Sequence, residues 1–160
     1  MATVAVRAAS PDDSPLILQF IRDLADYENL SHEVKVTQSN VRDLLFAPNP
    51  RAFCDIAQVN GEPVGFAFWF YNVSTFEGRC GIYLEDLFVR PAARGVGAGK
   101  ALLAHLARRC IVERLGRLEW AVLDWNTSAI AFYDSLGAAA KTEWITRRLS
   151  GEQLHALAVA

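Results

Sequence analysis

Arg90-Pro91-Ala92-Ala93-Arg94-Gly95-Val96-Gly97-Ala98-Gly99-Lys100 separates an apolar, strand-like stretch, Ile82 to Val89, from an amphipathic helical repeat over Gly97 to Leu115. Strand, glycine-rich loop, helix is an order that builds an anion cradle. Glycines let the backbone approach a bound group and take φ values closed to other residues, and the first amides of a helix point outward at the positive end of its dipole. Arg94 and Lys100 add positive charge, so a di- or triphosphate is the matching guest. Two familiar phosphate loops are excluded by counting. A P-loop needs glycine at Arg94 and a hydroxyl residue at Ala101, and a dinucleotide fingerprint needs its third glycine at Lys100 or Leu102.

On the N-terminal side, Val4, Val6 and Ala8 alternate as a short strand does. Ser10, Pro11 and Asp13 then set up a helix start: a cap, a residue with no amide to leave unpaired, and an acid three positions on. Leu16, Ile17, Phe20, Ile21, Leu24 and Tyr27 follow at helical spacing. Thr37 to Phe46 reads as a second helix, and Phe53 to Val59 and Pro63 to Tyr71 as strands of a hairpin closed by Asn60-Gly61. Ser74 to Gly81 reads as a connection.

On the C-terminal side, Leu102, Leu103, Leu106, Cys110 and Ile111 share one helical face, and Gly116 stands as the expected terminator. Leu118 to Leu123 reads as a buried strand. Asn126 or Thr127 caps a helix carrying Ile130, Tyr133 and Leu136, ended by Gly137, and a last strand is predicted around Thr142 to Leu149. The order predicts one mixed sheet with helices on its faces.

The chain has 160 residues, 52% hydrophobic, 21% charged, with a formal net charge of -2. That suffices for one core and predicts a single domain over residues 1 to 160, and it indicates neither disorder nor a basic nucleic-acid surface. Cys54, Cys80 and Cys110 lack disulfide or zinc spacing and read as buried free thiols in a reducing compartment. No basic leader and no membrane-length apolar run is visible, so a cytoplasmic protein is predicted. His32, His105 and His155 have no partner at ligand or triad spacing, so no metal site is expected.

Glu85 and Asp86 interrupt an apolar strand, where a charge is costly unless paired or facing a wet cleft. Period-two alternation assigns Ile82, Leu84, Asp86 and Phe88 to one face and Tyr83, Glu85, Leu87 and Val89 to the other.

Arg94-x-x-Gly97-x-Gly99 resembles the acetyl-coenzyme A pyrophosphate motif of the GNAT superfamily of N-acetyltransferases. Tyr83-Leu84-Glu85-Asp86-Leu87-Phe88-Val89, Leu123-Asp124-Trp125-Asn126 and Ala131-Phe132-Tyr133 resemble its diamine (spermidine/spermine) and thialysine acetyltransferase branch, and similarity runs from about Arg7 to about Leu149. The resemblance implies a single α/β (α+β) domain with a mixed, mostly antiparallel central sheet and helices on both faces. It implies acetyl-coenzyme A as co-substrate, direct attack of a primary amine on the thioester, and a homodimer acting without metal, nucleic acid or membrane. The acceptor it implies is a small cation: a polyamine, a diamine or a thialysine-like amino acid.

By the same resemblance, Leu87, Phe88 and Val89 splay from a neighbouring strand to pair with the pantetheine arm, and an amide near Leu87 polarises the thioester carbonyl. Arg94, Gly95, Val96, Gly97, Ala98, Gly99 and Lys100 hold the pyrophosphate, and Asn126 assists or caps its helix. Tyr133 is the expected general acid. Glu85 is the base candidate, acting directly or through water, and with Tyr27, Glu28, Asp86 and Glu143 it is expected to bind the cationic acceptor. Ser74-Thr75-Phe76 stands where polyamine enzymes carry an acidic residue, which weakens the fit to long polyamines. Two other readings remain at this point: a non-catalytic acyl-coenzyme A sensing module, and an enzyme acetylating protein N-termini or lysines.

Overall fold

Asn60 and Gly61 take φ of 52° and 87°, and this positive-φ pair turns β2 (Phe53–Val59) back into β3 (Glu62–Ser74). The computed structural model describes residues 2–160. It divides the chain into two compact units that meet between Ala121 and Val122 in sequence, and each is described by itself.

The larger unit holds a five-stranded sheet in the order β1-β2-β3-β4-β5. β1 (Val4–Ala8), β2, β3 and β4 (Arg79–Val89) are antiparallel neighbours, and β5 (Leu118–Trp120) runs parallel to β4. The stretch predicted as a connection, Ser74 to Gly81, is instead largely strand. β3 and β4 stay paired out to Ser74 and Arg79, and only residues 75–78 turn. β5 is shorter than expected and half-buried, with pairs only from Ile82 with Leu118 to Leu84 with Trp120.

The alternation of β2 sorts the two faces. Cys54 and Ile56 join Ile17, Leu18 and Phe20 of α1 (Ser14–Tyr27), Val41 and Leu45 of α2 (Gln38–Phe46), and Phe66, Phe68 and Phe88 in one core. The Phe20 and Phe66 rings stack with centroids 5.5 Å apart. Asp55, between them in sequence, faces α3 (Ala98–Val112) on the opposite side, where Leu102 and Leu106 are fully buried. Helices thus cover both faces, as the apolar stripes required.

The helix starts follow local chemistry. Asp13 accepts from the Ser10 amide at 2.7 Å and receives both terminal nitrogens of Arg7 at 2.7 and 2.8 Å. That pairing holds its carboxyl down at about 2. Thr37 and Asn40 exchange side-chain to backbone bonds at the start of α2, a reciprocal cap. The end of α3 differs from expectation. Arg114, at φ 57°, is the left-handed terminator, and Gly116 lies two residues beyond it, where a Cβ would come closest to the flexible end of the Glu77 side chain. Ile111 is 80% exposed, outside the buried face of α3, and Cys80 is exposed although Cys54 and Cys110 are buried.

A buried polar link that sequence spacing did not predict ties α3 to the sheet. Asp55, 2% exposed, accepts from the Trp69 indole at 2.8 Å and lies 3.4 Å from His105 of α3, while the Arg109 guanidinium sits 5.1 Å from the Trp69 ring centroid. A carboxylate so deeply placed needs these partners to offset its desolvation.

The smaller unit contains α4 (Thr127–Ser135) and α5 (Gly151–Ala158). Asn126 caps α4 by accepting from the Ala129 amide at 3.3 Å, and Gly137 at φ 77° follows its end, as the sequence indicated. The strand expected over Thr142 to Leu149 is absent. No strand lies in this unit to supply a ladder, and Trp144 and Ile145 are each 74% exposed. α5 was not anticipated.

Candidate active site

β4 carries one residue more than its partner. Phe68 lies opposite Asp86 and Trp69 opposite Leu84, leaving Glu85 as a bulge. The extra residue resets the alternation. Asp86 and Phe88 share a face with Phe66 and Phe68, while Ile82 and Leu84 share the other with Trp69 and Tyr71. The predicted single face of Ile82, Leu84, Asp86 and Phe88 is therefore split. The predicted opposition of Glu85 and Asp86 also fails, for both line one cleft.

That cleft has a volume of about 460 Å³. The end of α1 contributes Ile21, Leu24 and Glu28, the following loop contributes Glu33 and Lys35, and β4 contributes the two adjacent carboxylates. Burial, reinforced by the negative charges of Glu85 and then Glu28, pushes the Asp86 carboxyl up from 3.8 to about 7. Burial also raises Glu28. Such a site attracts a cation and offers it a proton acceptor that titrates near neutrality.

Just beyond the bulge, β4 is paired on one edge only. β3 covers residues 86–89 on one side, whereas pairing with β5 stops at Leu84, so the other edge of Glu85, Asp86, Leu87, Phe88 and Val89 has no strand neighbour among the described residues. The strand then runs through a short 3-10 turn, Pro91–Ala93, into α3. Gly95 and Gly97 take φ of 83° and 92°, and a Cβ on either would meet no atom within 4 Å. Their backbone is thus open to an approaching group. The first intrahelical bond of this turn runs from the Ala101 amide to the Gly97 carbonyl at 2.9 Å, which leaves the amides of Ala98, Gly99 and Lys100 at the positive end of α3. Arg94 donates from Nε to the Val89 carbonyl at 3.0 Å, and its guanidinium lies 4.5 Å from the Tyr27 ring centroid and 5.9 Å from that of Phe88. A strand edge able to pair with an amide-bearing arm, leading into a cationic helix start, fits coenzyme A in its donor set.

Of the anticipated acceptor residues, Glu28, Glu85 and Asp86 are brought together. Tyr27 lies beneath Arg94 and does not line the cleft. Glu143 belongs to the smaller unit, where it pairs with Lys141 at 3.4 Å; Asn126 and Tyr133 also belong there, in and before α4. Glu33 and Lys35 were missed, because no periodicity or motif marks a residue whose only distinction is the cleft it borders.

Comparison with known proteins agrees with this geometry. A model of the acetyltransferase (GNAT) family matches residues 18–138. A thialysine N-epsilon-acetyltransferase of Sus scrofa is 38% identical, covering 99% of this chain and 99% of its own length. An L-ornithine N5-acetyltransferase of Arabidopsis thaliana is 28% identical, covering 95% of this chain and 86% of its own. An integron cassette protein from the mobile metagenome of V. cholerae superposes with a TM-score of 0.81 at 25% identity over 98% of both chains. The chain belongs to the acetyltransferase (GNAT) family. It is an N-acetyltransferase, in the diamine and thialysine branch of that family.

Proposed function

We propose that the enzyme transfers an acetyl group from acetyl-coenzyme A to the side-chain amine of a small cationic acceptor, of the thialysine or ornithine kind. The observation that carries this reading is the Glu85–Asp86 pair, two adjacent residues of one strand turned into one cleft by a bulge. The full-length similarity to a thialysine N-epsilon-acetyltransferase supports the choice of acceptor, and the L-ornithine N5-acetyltransferase supports the same class.

Acetyl-coenzyme A supplies the activated thioester. Gly95, Val96, Gly97, Ala98, Gly99, Lys100 and Arg94 hold its pyrophosphate, and the backbone of Leu87, Phe88 and Val89 holds its arm and polarises the carbonyl. The acceptor arrives as an ammonium, whose pKa of about 10.4 makes deprotonation at pH 7 cost about 5 kcal/mol without assistance. Glu28, Glu85 and Asp86 bind that cation, and its proton passes to the Glu85–Asp86 pair directly or through water. Asp86, at about 7, is half ready to accept at neutral pH. Tyr133 is the proton donor to the departing sulfur, the role that the resemblance gives it.

The test is release of free thiol from acetyl-coenzyme A against thialysine, ornithine, lysine, putrescine, spermidine and short peptides. Turnover with a basic amino acid or short amine supports the reading. Cofactor binding without turnover of any of them refutes it in favour of a sensing module, and turnover of peptides alone refutes the small-molecule acceptor.

A further inference from the structure

The cleft beside the bulge is not uniformly acidic. Glu28, Glu33, Glu85 and Asp86 share its wall with Lys35. Lys35 lies between Val34 and Val36, just before the Thr37 cap of α2, and Val36 packs against the core. The ammonium is thus carried by a segment held on one side by the Val34 amide bonded to the Ser31 carbonyl at 3.3 Å and on the other by Val36 and the Thr37 cap. Lys35 forms no ion pair among the described residues, whereas Glu33 is 3.5 Å from His32. A cleft built only to concentrate polycations gains nothing from a positive charge in its wall, since like charges repel. A basic amino acid carries, besides the reacting amine, a carboxylate at the far end of its chain; a diamine carries a second ammonium there.

We infer that Lys35 binds the α-carboxylate of the acceptor and so sets a preference for a basic amino acid over the diamine that lacks that carboxylate. The inference rests on the reading of this cleft as the acceptor site and adds to it the residue that selects within the class. Carboxylates at the other end hold the reacting amine, so the two ends of the acceptor are read by opposite charges, which fixes its direction in the cleft.

Paired substrates test this directly: kcat/KM for ornithine against putrescine, and for lysine against cadaverine and lysine amide. The unsubstituted enzyme is expected to favour each amino acid. An exposed charge pair is worth about a factor of five, so Lys35→Gln should shrink the amino-acid to diamine ratio about fivefold. Lys35→Glu should shrink it further and raise kcat/KM for the diamine, and Lys35→Arg should retain the ratio. Acetyl-coenzyme A affinity should be unchanged throughout, which reports that each variant is folded. Lysine amide compared with lysine gives the same answer on the parent enzyme alone: equal kcat/KM for the two overturns the inference, as does an unchanged ratio in Lys35→Gln and Lys35→Glu. Failure of the underlying reading looks different. If Glu28→Gln and Asp86→Asn leave KM for every amine unaltered, the acceptor binds elsewhere and the assignment of Lys35 falls with the cleft.

Discussion

Replacing Asp86 by asparagine removes a charge that the fold holds at a disadvantage, so the substitution should raise stability in alkaline solution while it lowers activity. Between the ordinary value of 3.8 and the raised value of about 7 lie roughly three powers of ten in proton affinity. Each is worth about 1.4 kcal/mol, which gives about 4 kcal/mol; water on the open side of the cleft screens part of it, leaving about 3 kcal/mol. The sign follows from proton binding. Between these two values the native carboxyl keeps its proton and the unfolded one has lost it, so unfolding free energy falls as pH rises through the window. The full contribution is present below 3.8 and is lost above about 7. Urea unfolding of both proteins at pH 4 and pH 8 should therefore show Asp86→Asn gaining about 3 kcal/mol over its parent from the lower to the higher pH. In parallel, the acid limb of kcat/KM should lie near pH 7 in the parent and disappear in the variant. A constant stability difference across the range would mean that Asp86 titrates as an ordinary carboxylate, and the burial argument would be wrong.

Removing a neighbouring negative charge eases ionisation, so Glu28→Gln should move the acid limb of kcat/KM to lower pH; a limb that stays put excludes Glu28 from the field at Asp86. Arg94→Ala should weaken acetyl-coenzyme A binding about ten- to a hundredfold by calorimetry, the range for one charge-assisted contact, and normal affinity would undo the pyrophosphate assignment. Tyr133→Phe should lower kcat by about two to four powers of ten with cofactor affinity intact, and unchanged turnover removes Tyr133 from the chemistry. A Cβ at Gly65 would run into the Phe88 carbonyl, so Gly65→Ala should cost about 1–3 kcal/mol in urea unfolding, whereas parent-like stability would show that β3 and β4 can separate there.

What could be read from the residues was local. The capping box of the 3-10 turn that leads into α1 lies within Ser10 to Asp13, the hairpin turn within Asn60-Gly61, and the cradle within Arg94 to Lys100, each a short window whose chemistry dictates its backbone. What escaped depended on partners distant in sequence. Strict alternation predicted opposite faces for Glu85 and Asp86 because the bulge exists only in the pairing of β4 with β3. Asp55 and His105 meet across the sheet–helix interface without any spacing rule, and Lys35 matters only beside residues that the chain supplies much later. Thr142 to Leu149 has strand-like composition, but composition supplies no second strand. Tyr133 owes its assigned role to resemblance, since helical spacing with Ile130 and Leu136 alone reads as core.

The bulge also bears on how this strand tolerates change. Glu85 acts as a spacer that inverts parity, so the stretch below it and the stretch above it keep separate registers with the two helical layers. Deleting Glu85 outright would restore regular alternation with Leu84 and Asp86 on their present sides, costing the cleft one carboxylate and the sheet very little. Adding one residue within a regularly paired stretch, such as between Leu87 and Phe88, would instead exchange the sides of the flank beyond it, sending an aromatic to the surface or a carboxylate into the core. In the regularly paired stretches of β4, adding or removing one residue is therefore a larger change than exchanging one apolar side chain for another.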